Sequence, residues 1–368
     1  MTSERAASTP DHRPATLRLV ALPELPGLPG LVARHFEPTR DYPALAEHLT
    51  SVNVHDGHEE VDTAESLRHD WEHRDGIDLD QDVIVAELDG RIIGSAGHDW
   101  RQRGERIFHH LHAEVQPTFR GRGLGRVLLD WAENRTATGL ASGGIGAALP
   151  YPHVLSVWAQ PTTPGVAPLL TRAGYSIDGY GMMMLRNLAD PIADRPMPDG
   201  LAVRPVRAED HRAIWDADVE AFRDHRDPGE RTDTDYVSAF TDPTTDTSIW
   251  QVAWDGDEVA GSVWNTIYRD ENEKFNVRRG WLDHISVRRP WRKRGLAGAL
   301  IVRSLAILRD MGFEEAALGA DTENLSGAVR LYESLGFRQH RLHANFVKPI
   351  GFPGGRAPND RGPSRAGI

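Results

Sequence analysis

The chain has 368 residues, 39% hydrophobic and 26% charged, with a formal charge of −12 and no cysteine. This length suggests two domains with a core each, the acidity speaks against a general nucleic-acid binder, and the lack of thiols excludes disulfides, thiolate metal sites and a cysteine nucleophile. No window reaches the about 18 uninterrupted apolar residues of a membrane helix and "MTSERAASTPDHRPA" has no signal-peptide core, so the expectation is a cytoplasmic enzyme, monomer or homodimer, with no nucleic-acid or membrane partner.

Residues 1–14 read as a disordered tail. From Arg34, "RHFEPTRDYPALAEHL" predicts a short strand, an acidic turn and an amphipathic helix. The acidic run over 56–82 reads as a solvated helix face that can also line an entrance for a cationic acceptor. "DVIVAELDGRIIGSAG" from Asp82 is strand, Asp-Gly turn, strand. In "HHLH", His110 and His112 share a strand face, but spacing supplies no further ligand to them or to His109. His55 and His58 are a weaker pair, so no metal site is assigned. "VQPTFRGRGLGRVLLDWAENR" from Val115 is strand end, basic loop and helix. A Gly/Ala-rich insert, "TGLASGGIGAALPYP", predicts a surface loop, and "LLTRAGYSI" from Leu169 a closing helix and strand.

A Pro-rich linker at 191–199 follows, and then the series repeats. "VRPVRAEDHRAIWDADVEAF" from Val203, "SIWQVAWDGDEVAGSV" from Ser248, "VRRPWRKRGLAGALIVRSLAIL" from Val287 and "LYESLGFRQ" from Leu331 echo the earlier segments in order. Trp250, Trp254, Trp264 and Trp281 sit on predicted strands as core residues. Arg292 and Gly295 each lie 172 residues after Arg120 and Gly123. This is a tandem duplication. Two α/β modules, 15–190 and 200–350, each carry a mixed, mostly antiparallel sheet flanked by helices. Residues 351–368 predict a second tail.

The basic turn carries the chemistry. "LDHISV" ends as a strand at Val287, and a helix starts near Gly295 with Ala297, Leu300, Ile301, Leu305 and Leu308 on one stripe. A helix start offers unpaired N–H groups and partial positive charge, Gly295 lets a ligand approach, and Arg292, Lys293 and Arg294 add charge. Together they suit a diphosphate. The pattern Arg-x-x-Gly-x-Ala here, and Arg-x-x-Gly-x-Gly from Arg120 to Gly125, is neither a P-loop nor a dinucleotide fingerprint. There is no G-x-S-x-G elbow and so no hydrolase case.

Placed twice between strand and helix, this motif resembles that of the GCN5-related N-acetyltransferase (GNAT) superfamily, in its tandem two-domain type, over most of both modules. The resemblance implies acetyl-CoA as co-substrate and a small-molecule amine, cationic if the acidic run lines its entrance, as acceptor. It assigns strand contacts with the pantetheine arm to Ile285, Ser286 and Val287. The pyrophosphate cradle would be Arg292, Lys293, Arg294, Gly295, Leu296, Ala297 and Gly298. In "DTENLSGAVRLYESLGF", Asn324 would hydrogen-bond the pantetheine amides and Tyr332 would protonate the departing thiolate. Asp283, two residues before Ile285, is expected on the same strand face as general base, although many relatives keep their carboxylate where this chain has Trp281.

The 172-residue offset turns Asp283 into Leu111, and the Gly336–Gly174 match turns Tyr332 into Leu170 and Asn324 into Thr162. The N-terminal module keeps a cradle (Arg120, Gly121, Arg122, Gly123, Leu124 and Gly125) but has leucine where protons must move. The expectation is one catalytic site, in the C-terminal module. The alternative is an acyl-CoA-binding sensor or pseudoenzyme without turnover.

Overall fold

The computed structural model describes residues 17–225, 228–321 and 327–350. Asn324 and the two expected tails lie outside them. The first half comprises β1 (Leu19–Val20), β2 (Val32–His35), α1 (Tyr42–Asp56), α2 (Ala64–Glu72), β3 (Val83–Leu88), β4 (Arg91–Arg103), β5 (Arg106–Val115), α3 (Leu124–Ala141), β6 (His153–Ala159), α4 (Val166–Arg172) and β7 (Ser176–Asn187). The second comprises β8 (Ala202–Val203), α5 (His211–Phe222), α6 (Asp233–Thr241), β9 (Gln251–Asp255), β10 (Glu258–Thr266), α7 (Arg269–Phe275), β11 (Arg279–Val287), α8 (Leu296–Asp310), β12 (Glu315–Asp321), α9 (Ala328–Ser334) and β13 (Arg338–Pro349).

The predicted order of elements recurs in both halves. Strand β1 and helix α7 each appear in one half only, and helices α2 and α6 are additional in both. Each begins at a threonine whose hydroxyl accepts from the amide three residues on, Thr63 from Ser66 and Thr232 from Asp235, while those side chains bond back. Such reciprocal caps are visible in sequence as Thr-x-x-Ser and Thr-x-x-Asp. The first four residues of the Gly/Ala-rich insert finish α3 instead of forming loop.

All thirteen strands form one sheet, in the order β1-β2-β3-β4-β5-β6-β13-β7-β12-β11-β10-β9-β8. The middle of this order is an exchange. β13, the last strand of the second half, pairs with β6 of the first, and β7, the last strand of the first, pairs with β12 of the second. β7 and β13 pair with each other between them. Both outer strands have only two residues, which limits the unpaired edge open to other chains.

Around α8, Leu296, Leu300, Ile301, Leu305 and Leu308 pack with Val263, Leu282, Leu318 and Phe337, and with Met184 of the exchanged β7. Around α3, Leu129 and Ala132 pack with Leu111, Leu155 and Leu170, and with Ala344 and Phe346 of the exchanged β13. Each core is therefore completed by the other half's chain. At about 1.5–3 kcal/mol per large apolar side chain buried, the guest strands' Met184 and Phe346 stabilise the cores that receive them.

Candidate active site

Two parallel strands that part company create the cleft in each half. β11 and β12 pair only at Arg279–Glu315, Gly280–Ala316 and Trp281–Ala317; β5 and β6 pair only from Ile107–His153 to His110–Ser156. Beyond those pairs one edge of each strand stands free. Ile285, Ser286 and Val287 pair with Val263, Ser262 and Gly261 of β10, which leaves their other edge to face the opening. An extended chain with amide groups can add there as a strand would.

The helix after each cleft starts on a glycine in the left-handed region, Gly295 (φ 87°) for α8 and Gly123 (φ 92°) for α3, with no side-chain cap. The first amides of both helices are thus presented to a ligand. The approaches differ. A Cβ on Gly295 would meet nothing within 4 Å, whereas one on Gly123 would lie 3.2 Å from Leu25 Cδ2, and Leu25 packs with Leu124 and Leu128. Lys293 is left-handed as well, at φ 60°, where the first half has Gly121 at 74°.

The arginines of the turn, expected to add their charges to the cradle, are largely engaged with partners in their own chain. Arg292 donates Nε–H to Val287 O at 2.8 Å and an Nη group to Ala221 O at 3.0 Å, and pairs with Asp224. Arg120 does the same at its own position, to Val115 O at 3.1 Å and to both oxygens of Asp56 at 2.6 and 2.8 Å. The repeated arginine is a clamp from the end of the strand to the end of α1 or α5. Arg289 also pairs with Asp224, Arg288 with Glu220, and Arg294 donates to Asp199 O. Lys293 is exposed and has no ion pair among the described residues. What the turn offers a diphosphate is mainly its amides.

Asp283 departs from simple alternation. Trp264 faces His284 while its neighbour Asn265 faces Leu282, so β11 carries an extra residue at Asp283. This bulge gives Leu282 the position inside the α8 core beside Ile285 and Val287. It turns Asp283 to the opposite side of the sheet, against the expected shared face. There Asp283 lines a cavity of about 390 Å3 with Asp242, Trp250, Trp264, Tyr268 and His284. Tyr268 donates its hydroxyl to Asp283 at 3.0 Å. Asp283 is exposed to the cavity, yet surrounding protein desolvates the carboxyl and pushes it above its ordinary value, against hydrogen bonds from Thr266 and Tyr268. Burial and then repulsion from Glu60 push Glu271, on α7, up to about 8; burial, Glu60 and Glu114 push Asp62 up to about 7.

His284 was not foreseen. It stacks on Trp264 (4.5 Å between centroids) and bonds through Nδ1 to fully buried Asp218 at 3.0 Å. The signal in sequence was an Asp-His pair on a strand, which only the bulge turns toward one cavity. Trp250 and Trp264 stack at 4.2 Å and are both core and cavity wall. Half-buried Trp281 meets Tyr268 edge-on.

Tyr332, on α9, is 7% exposed and packs within the α8 core, edge-on to Phe337. Burial pushes its phenol up to about 12, and its hydroxyl has no hydrogen bond among the described residues. Leu111 and Leu170, at the corresponding places in the first half, are 2% and 3% exposed within one apolar cluster. Thr162 lies on the turn before α4. The "HHLH" histidines separate. His109 joins a buried chain with His98 (3.1 Å) and His153 (2.8 Å), while His112 reaches Asp99 at 3.4 Å.

Splayed parallel strands, an uncapped helix start and the motif between them define a class. The family described as "Acetyltransferase (GNAT) family" matches residues 211–337, and "Acetyltransferase (GNAT) domain" matches 80–176. The chain belongs to the GNAT acetyltransferases, and is an N-acetyltransferase with acetyl-CoA as donor. Among its relatives is "Mycothiol acetyltransferase" of Geodermatophilus obscurus, 30% identical over 271 residues, covering 72% of this chain and 82% of the relative. The protein of the same name from Thermobispora bispora is 31% identical over 224 residues, 61% of this chain and 70% of the relative. Of solved structures, a GCN5-related N-acetyltransferase from Sphaerobacter thermophilus superposes with a TM-score of 0.65 at 26% identity, covering 88% of this chain and 96% of that one. A tandem GNAT protein from the clavulanic acid biosynthesis pathway shares the fold, with a TM-score of 0.62 at 15% identity, covering 87% and 99%.

Proposed function

We propose that the C-terminal module holds the single catalytic site and passes the acetyl group directly from acetyl-CoA to a small cationic amine. The observation that carries this reading is the asymmetry of the two clefts. One has Asp283 in a polar cavity behind it and a Tyr332 hydroxyl without a hydrogen bond among the described residues; the other has Leu170 in place of the phenol and no extra residue in its strand.

The pantetheine arm adds to the open edge at Ile285, Ser286 and Val287, and the diphosphate rests on the amides of Arg292 through Gly298, with Lys293 as its free charge. Asn324, outside the described residues, is assigned to the pantetheine amides. The acceptor enters from the cavity on the other side of the sheet. Its nitrogen attacks the thioester carbon, Asp283 takes the N–H proton directly or through a water, and a strand amide meets the oxyanion. The C–S bond breaks, and the thiolate takes the Tyr332 proton. The first module's cradle, Arg120 through Gly125, has no counterpart of Asp283 or Tyr332 and is scaffold or an idle CoA site. The acidic side chains Asp242 and Asp283 on the cavity wall favour a cationic acceptor. The relatives' name places the amine that their reaction acetylates first among acceptors to try.

A second candidate base rests on one observation, the His284–Asp218 pair in the same cavity. Thiol release from acetyl-CoA against a panel of amines tests the whole reading. Cationic amines should turn over and neutral ones should not, and Asp283→Asn should abolish the ascending limb of the pH–rate profile. Loss of that limb in His284→Gln instead would transfer the base to His284, and turnover indifferent to acceptor charge would remove the acidic wall from recognition.

A further inference from the structure

The loop after α1 and the exchanged strand β13 meet at a cluster that the acetyl-transfer reading does not use. Gly57 ends α1 in the left-handed region (φ 76°), and His58 N–H turns back to Asn53 O at 2.8 Å. This sets His58 and Glu60 against His343, which sits on β13 opposite Gly181 of β7. The potential ligand atoms of His58, Glu60 and His343 all lie within 4.8 Å of one another.

The spacing between the two imidazoles is the informative quantity. His58 Nδ1 and His343 Nε2 are 3.5 Å apart. Hydrogen-bonded ring nitrogens elsewhere in this chain stand closer, at 2.8 Å for His109–His153 and 3.1 Å for His98–His109. Two nitrogens bound tetrahedrally at about 2.0–2.1 Å from one ion are separated by about 3.4 Å. The rings are tilted by 34° with centroids 5.3 Å apart, so both lone pairs can converge on a point between them. Glu60 is exposed and free to swing in. Its neighbour Glu59 is held away by Arg279 at 2.7 Å and Arg341 at 2.9 Å, which fixes the loop's course without occupying the cluster.

We propose that His58, Glu60 and His343 bind one divalent transition-metal ion of the zinc class, which ties the N-terminal module to the strand it receives from the C-terminal module. Two imidazoles and one carboxylate select zinc, cobalt or nickel over magnesium and calcium. The fourth position is left to water. The ion's role is structural: it closes a link between residues almost three hundred positions apart, across the strand exchange.

The test uses the full chain, stripped with a chelator and titrated with Co2+ and then Zn2+. The proposal expects one ion per chain, with the strong visible absorption of four-coordinate cobalt, displaced by zinc. It also expects a melting temperature raised by roughly 5 °C when zinc is a hundredfold above Kd. His343→Gln should weaken binding at least about 100-fold and Glu60→Gln about 10-fold, with far-ultraviolet circular dichroism reporting whether each variant is folded. Glu60→Gln, at an exposed position, keeps the test valid if His343→Gln does not fold. No binding at micromolar metal, six-coordinate cobalt spectra, or affinity unchanged in these variants would each overturn the site. These readouts require no acetyl transfer, so they stand or fall separately from the catalytic reading.

Discussion

β5 of the first half pairs with β4 without a slip from Arg103–Arg106 to Gly94–Val115, whereas β11 of the second slips by one residue against β10 at Asp283. The unbroken strand points Leu111 into the apolar core of its own cleft. The bulged strand gives that position to Leu282 and swings a carboxylate into a cavity on the far face. Both halves keep the splayed strands, the left-handed glycine, the open helix start and the arginine clamp. The comparison teaches that the splayed strands and open helix starts belong to the architecture, while the second half differs by one extra residue in a strand and one phenol on a helix, the two features on which the proposed chemistry rests.

The sharpest way to break this comparison is to remove the phenol. Tyr332→Phe should lower kcat about 10²-fold with little change in acetyl-CoA affinity, while Leu170→Ala affects stability and leaves chemistry in place. Steady-state kinetics with direct binding measurements separate the two. A Tyr332→Phe enzyme at full speed would make the halves equivalent in this respect.

A smaller effect is expected at the two cradles. Gly295→Ala strains a left-handed position by about 1 kcal/mol and puts a methyl where the ligand must approach, so the Kd for acetyl-CoA should rise about 10-fold. Gly123→Ala carries similar strain plus the close contact with Leu25 and should lower the melting temperature without altering that Kd. Calorimetric titration also counts the sites: one per chain if the first cradle is idle, two if both are filled.

The clamps should differ less. Arg292→Ala and Arg120→Ala each free a strand end from its helix, and both should lower the melting temperature by a few degrees. Only the former should also weaken acetyl-CoA binding, by a few-fold, because its loop would lose its set. Equal effects on binding would assign ligand contacts to both loops.

The mildest difference concerns carboxylates. Asp99 in the first half, despite its burial, is held below its ordinary value by the hydrogen bond from His112, whereas burial and Glu60 push Glu271 up to about 8. A carboxyl raised in the folded state favours the protonated form. Its contribution is present below about 4.5 and is lost as pH rises through about 8. Glu271→Gln should therefore be more stable than the parent at pH 9, on the order of 1 kcal/mol, and nearly equal to it at pH 4. Melting curves across that range check the sign. The pH dependence of kcat should show an ascending limb from the base and no descending limb below about 12, since Tyr332 stays protonated until then.

The duplication, the order of elements and the glycine-led helix starts were legible in sequence, because each rests on local chemistry. Period-two and 3.6-residue patterning, turn residues and the repeat itself act over a few positions. The positions of Tyr332 and of Leu111 and Leu170, each buried in an apolar core, followed from the same local registers. Tertiary structure alone decided the rest. One residue slipped in a strand moved Asp283 to the other face. Acidic side chains on α5 and just beyond it engaged the arginines of the turn. The exchange of β7 and β13 brought His343 to His58 and made each core depend on its neighbour's chain. Those outcomes depend on which strand finds which edge, and edge pairing is set by packing between residues far apart in sequence, which no local pattern encodes.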